Sequence, residues 1–201
     1  MKTKILPIIL LFLVISGLSQ SSHAATITHA NYTVLNDIKD FNKIEVRGNV
    51  ELFISDGSTD KVNVYNKYYS ESALIQCRNG VLRISSYTAE KLIVWVTADD
   101  LRSVSAYDNA EVKSFGDLSK IEFSVDLHND ASAKLNLNAY STDVTLRDHS
   151  KIELSGTATE FSINHNAGST VINRNFSANH YAENKTITAT EAKSDELVGL
   201  E

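Results

Sequence analysis

A seven-residue pattern that occurs four times decides the fold. The pattern reads VSAYDNA at 104–110, VDLHNDA at 125–131, VTLRDHS at 144–150 and INHNAGS at 163–169. The four copies begin 19 to 21 residues apart, and each is followed by a second apolar position. A repeat of about 20 residues is typical of a solenoid, in which each unit buries its apolar side against its neighbours. The sequence therefore predicts stacked β-strand units over this part of the chain.

The alternation within each unit predicts which side chains point inward, because neighbouring residues of a strand face opposite sides. The inward set contains Val125, Leu127, Ala133 and Leu135 in one unit, and Val144, Leu146, Ile152 and Leu154 in the next. Asp108, Asn129 and Asp148 occupy the same turn position in successive units. Asn and Asp tolerate the positive φ of a tight turn, and their side chains can bond to neighbouring turns. This row is either a solvated turn row or a place for a divalent cation.

The residues before the repeat have the pattern of paired strands. Apolar residues alternate with polar ones over 44–54, in two strands joined at Gly48-Asn49. Asn79-Gly80 is a strong signal for a β-hairpin. The uninterrupted apolar run Leu92–Val96 predicts a strand that is buried on both faces. We therefore expect an all-β fold with a hairpin-rich N-terminal part.

The start of the chain has the layout of a secretory signal peptide, which we assign to residues 1–24. Lys2 and Lys4 precede an apolar run, and Ser22-His23-Ala24 has the small residues of a cleavage site. The run is shorter than the roughly 20 residues that cross a bilayer, so an uncleaved anchor is the weaker alternative. We predict an exported protein with no membrane span in the mature chain. Residues 25–40 are interpreted as a lead-in segment and 191–201 as a polar tail.

Two stretches resemble a known family. Residues 41–52, FNKIEVRGNVEL, and 79–84, NGVLRI, are similar to the GIN domain, which is described as the head of an autotransporter adhesin. The similarity implies a single GIN-like domain over 41–190, folded as a right-handed parallel β-helix-like solenoid. It also implies a secreted or envelope protein, mainly of Bacteroidetes-type bacteria, without catalytic residues. The turns differ from the Ser-Gly-Ser-Gly turns of the family, because Asp and Asn stand there.

Composition argues against several functions. The formal net charge of −6 disfavours nucleic-acid binding, which needs a basic surface. The single cysteine, Cys77, can form neither an internal disulfide nor a cysteine-based zinc site. Asp148, His149 and Ser150 are adjacent in sequence, so their side chains diverge and do not form a catalytic triad. His128, His149 and His165 fall at different positions of the repeat. We therefore predict no metal, no cofactor and no enzymatic activity.

The candidate binding residues are Tyr65, Tyr68 and Tyr69, which lie beside Asn66 and Lys67. Exposed tyrosines among polar neighbours can contact sugar rings or a protein surface. The alternative is that they cover the edge of the first strands. The sequence thus favours a non-enzymatic, adhesin-like module that binds a surface glycan or protein in the periplasm, on the outer surface or outside the cell. A carbohydrate-active β-helix enzyme and a purely structural periplasmic protein are the alternatives.

Overall fold

The structure, a computed structural model, describes residues 32–65 and 73–186, and strands account for 71% of them. The described residues contain no helix, and hence none that is long and apolar enough to cross a membrane. The all-β prediction is therefore confirmed. The predicted signal peptide, 1–24, and the predicted tail, 191–201, lie outside the described residues.

The described residues form thirteen strands. They are β1 Thr33–Val34, β2 Lys43–Gly48, β3 Val50–Asp56, β4 Lys61–Val64, β5 Ala73–Arg78, β6 Val81–Ser86, β7 Leu92–Ala98, β8 Ser103–Tyr107, β9 Glu111–Ser114, β10 Leu118–Leu127, β11 Ser132–Leu146, β12 Lys151–Asn166 and β13 Thr170–Thr186. β1 and the buried Ile38 belong to the predicted lead-in segment, 25–40.

The strands form one open, curled sheet that resembles half a barrel. Its order is β1-β4-β7-β3-β9-β11-β10-β8-β2-β6-β5, with β12 paired to β11 and β13 to β12. Most pairs are parallel, but β1–β4, β4–β7 and β5–β6 are antiparallel. The sheet is therefore mixed, which corrects the purely parallel arrangement that the family resemblance implied. The antiparallel pairs belong to the N-terminal part, where hairpins were expected.

The register of the repeat is confirmed. Val125 pairs with Val104 on one side and with Val144 on the other, and Val144 pairs with Ile163. We call such a set of paired residues on successive strands a column. The predicted inward residues are all buried: Val125, Leu127, Ala133, Leu135, Val144, Leu146, Ile152 and Leu154. They belong to a single hydrophobic core that holds the strands together.

Side chains of the turn row, Asp108, Asn129 and Asp148, link successive turns. Their φ angles are 62°, 59° and 60°, the left-handed conformation that Asn and Asp tolerate best among non-glycine residues. The backbone N–H of Asp108 donates to Asn129 Oδ1 at 3.4 Å, and that of Asn129 donates to Asp148 Oδ2 at 3.0 Å. The predicted capping of one turn by the next is therefore confirmed.

The fourth turn, Ala167-Gly168, is built differently. The residue types here, like those of the other three turns, predict at least one positive φ, but neither Ala167 nor Gly168 has one, so this prediction is wrong. Instead, the backbone N–H of Ser169 donates to Asn166 Oδ1 at 2.9 Å. Gly168 is needed for another reason, because a Cβ there would lie 2.7 Å from the carbonyl oxygen of Asp148.

The N-terminal predictions have mixed outcomes. Asn79 and Gly80 join the antiparallel strands β5 and β6 with φ angles of 53° and 74°, so the hairpin is confirmed. The prediction that Leu92–Val96 is buried on both faces is wrong. Val94 is fully buried, but Ile93 and Trp95 are only half-buried on the outer face. Aromatic neighbours cover part of this outer face, which explains why an apolar run is stable there.

Candidate functional site

Five aromatic side chains form a continuous cluster on the outer face of the N-terminal strands. We call this cluster the aromatic face: Tyr32, Phe53, Tyr65, Trp95 and Phe115. Tyr32 and Phe115 keep 49% and 61% of their surface exposed, whereas the other three are half-buried. Single exposed apolar residues are common, but a contiguous aromatic patch marks a candidate interaction site.

Strand register places Trp95 at the centre of the aromatic face. Phe53 of β3 pairs directly with Trp95 of β7, and their rings stack with centroids 4.7 Å apart. The ring of Phe115 lies 5.0 Å from Trp95, and that of Tyr65 lies 6.2 Å away. Tyr32 extends the cluster, at 5.3 Å from Tyr65. These separations fall in the range of favourable aromatic pairs, so the rings hold one another in a fixed arrangement.

Alternating charges border the aromatic face. Lys113 Nζ lies 2.5 Å from Glu51 Oε1 and 3.2 Å from Glu111 Oε2. Lys91 Nζ lies 2.5 Å from Glu111 Oε1. Lys113 Nζ is also 5.8 Å from the centre of the Phe53 ring, at the outer limit of a cation–π contact. Each charge in this border has an opposite charge beside it, so the surface next to the rings carries little net charge.

Low pH should weaken the ion pairs of this charged border, because it protonates the Glu111 carboxylate. Hydrogen bonds from Lys91, followed by those from Lys113, hold the pKa of Glu111 below its ordinary value of 4.5. A lowered pKa in the folded state adds stability above pH 4.5, and the stability is lost as the pH falls through the lowered value. Glu111→Gln should therefore lower Tm more at pH 7 than at pH 3. Thermal melts of both proteins at the two pH values measure this, and an equal difference at both would contradict it.

Only one of the three predicted tyrosines falls within the described residues. Tyr65 follows β4 and contacts both Tyr32 and Trp95. Tyr68 and Tyr69 lie in 66–72, outside the described residues. Tyr32, Phe53, Trp95 and Phe115 were not predicted as partners of Tyr65 from the sequence. Phe53 carried a usable signal, because strand alternation placed it on the outer face, where an aromatic side chain is unusual.

The candidate metal and catalytic groups are not brought together. Among the described residues, no group of three or more His, Cys, Asp or Glu side chains is arranged to hold a metal ion. Asp148, His149 and Ser150 were not expected to form a catalytic triad. Ser150 is fully buried, whereas the side chain of His149 is 78% exposed. His165 lies in the column of Leu127 and Leu146, where its ring bonds to Glu183.

A surface groove of about 440 Å³ contains carboxylates. Asp100 and Glu122 line it together with Arg102. Arg102 Nη2 lies 2.6 Å from Asp100 Oδ2, and this hydrogen bond holds the pKa of Asp100 below its ordinary value. A general acid of a glycosidase needs a raised pKa, which is the opposite shift.

Solved structures show the same fold at low sequence identity. A "putative adhesin" from Bacteroides fragilis has a TM-score of 0.69 and 14% identity, over 78% of this chain and 76% of its own. A "putative lipid binding protein" from Parabacteroides distasonis has a TM-score of 0.59 and 10% identity, over 77% of each chain. A "putative adhesin" from Parabacteroides merdae has a TM-score of 0.56 and 16% identity, over 78% and 76%.

Sequence comparison identifies the family. No curated protein matches the sequence significantly. The family model described as "Putative auto-transporter adhesin, head GIN domain" matches residues 40–191, which is most of the chain. This match includes the two stretches that carried the resemblance and all the strands from β2 to β13. The chain therefore belongs to the GIN-domain family.

Proposed function

We propose that this protein is an exported, non-enzymatic binding module whose aromatic face contacts a glycan or protein on a cell surface. The observation that carries the proposal is the cluster of five rings around Trp95 on an outer sheet face. Aromatic side chains are enriched at the centres of interfaces, because they offer a large rigid contact area at little entropic cost. The adhesin description of the family is consistent with this role.

The surroundings of the rings favour a ligand with both apolar and polar surfaces. Ser55 and Thr97 lie two pairs along from Phe53 and Trp95, and their hydroxyl groups bond to each other at 3.1 Å. Asn63 pairs with Trp95 from the other side. A sugar ring has an apolar face that could stack on the aromatic face, and hydroxyl groups that these polar side chains and the charged border could bind. We include Tyr68 and Tyr69 in the proposed site, because they follow Tyr65 closely in the chain.

The wider proposal includes the architecture and the location. The 19-residue register of the long strands and the turn row support a solenoid, and the family resemblance supports a right-handed β-helix. The signal-peptide pattern of residues 1–24 supports export to the periplasm, the outer surface or the medium. A solenoid suits a binding role, because its faces provide extended area without a deep pocket.

Trp95→Ala should weaken binding of the mature chain to its ligand by about tenfold or more, because Trp95 contacts three of the other four rings. Phe115→Ala should weaken it as well, and its exposed position makes loss of folding a poor explanation. A glycan array and a cell-surface binding assay, both with labelled mature protein, measure the effect. Circular dichroism confirms that each variant is folded.

Tyr140→Ala is the matched control, because Tyr140 is 60% exposed on β11 and takes no part in the aromatic face. It should bind like the wild type. Equal binding by the wild type and the Trp95 and Phe115 variants would reject the aromatic face as the site. Turnover of a polysaccharide that is lost on replacing one carboxylate would reject the non-enzymatic proposal and favour the carbohydrate-active enzyme.

A further inference from the structure

The last strand lies at an open edge of the sheet. Within the described part of the chain, β13 pairs only with β12, so one side of this 17-residue strand has no partner strand. A long unpaired edge is a template for the strand of another molecule unless something in the strand prevents pairing. The side chains of β13 show what prevents it.

Two core columns end in exposed charged residues at β13. The first column contains Val104, Val125, Val144 and Ile163, and then Glu183. The second contains Ala106, Leu127, Leu146 and His165, and then Lys185. All eight residues before β13 are buried, whereas Glu183 and Lys185 are exposed. The inward side of the sheet thus becomes polar at its last strand.

A hydrogen-bond network closes this end of the core. His165 Nε2 lies 2.9 Å from Glu183 Oε1, and the Tyr181 hydroxyl donates to Glu183 Oε2 at 3.2 Å. Asn173 Nδ2 donates in turn to the Tyr181 hydroxyl at 3.1 Å. The hydrogen bond from His165 holds the pKa of Glu183 below its ordinary value, so this carboxylate is charged at neutral pH.

We propose that β13 is a terminating strand, whose inward charges stop a second copy of the chain from extending the sheet and so keep the protein monomeric. A strand stacked on β13 in register would cover Glu183 and Lys185 and remove both charges from water. Burying charges without well-placed partners is costly, and inward charges on edge strands are a known protection against edge-to-edge pairing. Glu183 is hydrogen-bonded to His165 and Tyr181, so the larger cost falls on Lys185, which has no ion-pair partner among the described residues.

The apolar half of β13 does not offset this cost. Val171, Phe176 and Ala178 are only partly buried against the core, so a stacked strand would gain apolar contacts there. The same strand would still have to pass over Glu183 and Lys185, because the pairing of β12 with β13 is continuous from Ser155 to Asn166. Partial apolar exposure therefore does not by itself create a docking site.

The opposite end of the described sheet is built differently. There β5 runs antiparallel to β6, and the other outermost strand, β1, has only two residues. The inward charges proposed to stop pairing therefore belong to the β13 edge alone.

Restoring the apolar columns should abolish the protection. The wild-type mature chain should remain a monomer at tens of micromolar, measured by light scattering after size exclusion. The double variant Glu183→Val/Lys185→Leu should associate in a concentration-dependent way. Asn184→Val is the matched control, because Asn184 lies between the two charges and pairs with the outward Asn164. This control should remain monomeric.

Three results would overturn the proposal. The first is a wild-type chain that already associates through β13. The second is a folded double variant that stays monomeric, as it would if residues 187–201 covered the edge. If the double variant fails to fold, Lys185→Leu alone decides the matter, because it keeps the His165–Glu183 pair. In that case the proposal predicts that Lys185→Leu associates more strongly than the wild type. The third result that would overturn it is a Lys185→Leu variant that does not.

Discussion

Leu146→Asp should unfold the domain at room temperature. Leu146 is 2% exposed and pairs with Leu127 and His165 in one core column. An aspartate at this place would bury a carboxylate whose polar neighbour in the column, His165, is already hydrogen-bonded to Glu183, at a cost of several kcal/mol. A domain of this size has a total stability of only about 5–15 kcal/mol. Circular dichroism should show no cooperative thermal transition.

His149→Ala is the control for Leu146→Asp. His149 lies three residues further along, in the following turn, and its side chain is 78% exposed. Removing it should change the free energy of unfolding by at most about 0.5 kcal/mol. Equal melting temperatures for the two variants would contradict the register that places Leu146 inside and His149 outside.

Lys120→Met should lower the free energy of unfolding by about 2 kcal/mol, between the loss of an exposed ion pair and that of a fully buried one, because the Asp56 side chain is 30% exposed. Lys120 Nζ lies 2.6 Å from Asp56 Oδ1, and its side chain is only 7% exposed. The backbone N–H of Ser119 donates to the other oxygen of Asp56 at 2.6 Å. Methionine fills a similar volume but leaves the partly buried carboxylate without its cation. Urea unfolding at pH 7 measures the change.

Lys134→Met provides the comparison for Lys120→Met. Lys134 Nζ lies 2.7 Å from Glu153 Oε1, but the two side chains are 65% and 40% exposed. A surface pair of this kind contributes about 0–1 kcal/mol, so its loss should have little effect. If the two methionine variants were equally stable, the Asp56–Lys120 pair would not be the structural contact that we describe.

The repeat could be predicted in detail because its information is local. The spacing of Val104, Val125, Val144 and Ile163 determined which residues pair, and alternation determined which side chains are buried. The residue types at Asp108, Asn129 and Asp148 also predicted the positive φ angles of the turns. Stacked units repeat the same environment, so each copy of the pattern supports the interpretation of the others.

The N-terminal strand order could not be predicted, because it depends on contacts between distant segments. β2 pairs with β6 and β8, while β3 pairs with β7 and β9, so consecutive strands are not neighbours in the sheet. The Asp56–Lys120 pair depends on the same arrangement. The pairing of Phe53 with Trp95 follows from it as well, and no local pattern links these two residues.

The same limit applies to the candidate site. Tyr65 was identified from its exposed, polar neighbourhood, but its partners come from four other segments between residues 32 and 115. The apolar run around Trp95 predicted burial on both faces, and this interpretation hid the residue at the centre of the cluster. An aromatic patch assembled across strands becomes visible only when the register is known.

The fluorescence of Trp95 tests the binding proposal most directly, because this is the only tryptophan in the sequence. The oligosaccharide or surface protein that binds most strongly in the screens would be titrated into the mature chain, while emission and calorimetric heat are followed together. We predict that the tryptophan emission changes with the same Kd as the heat, since the ligand covers the indole. Binding heat without any change in emission, together with unaltered affinity of Trp95→Ala, would contradict the account.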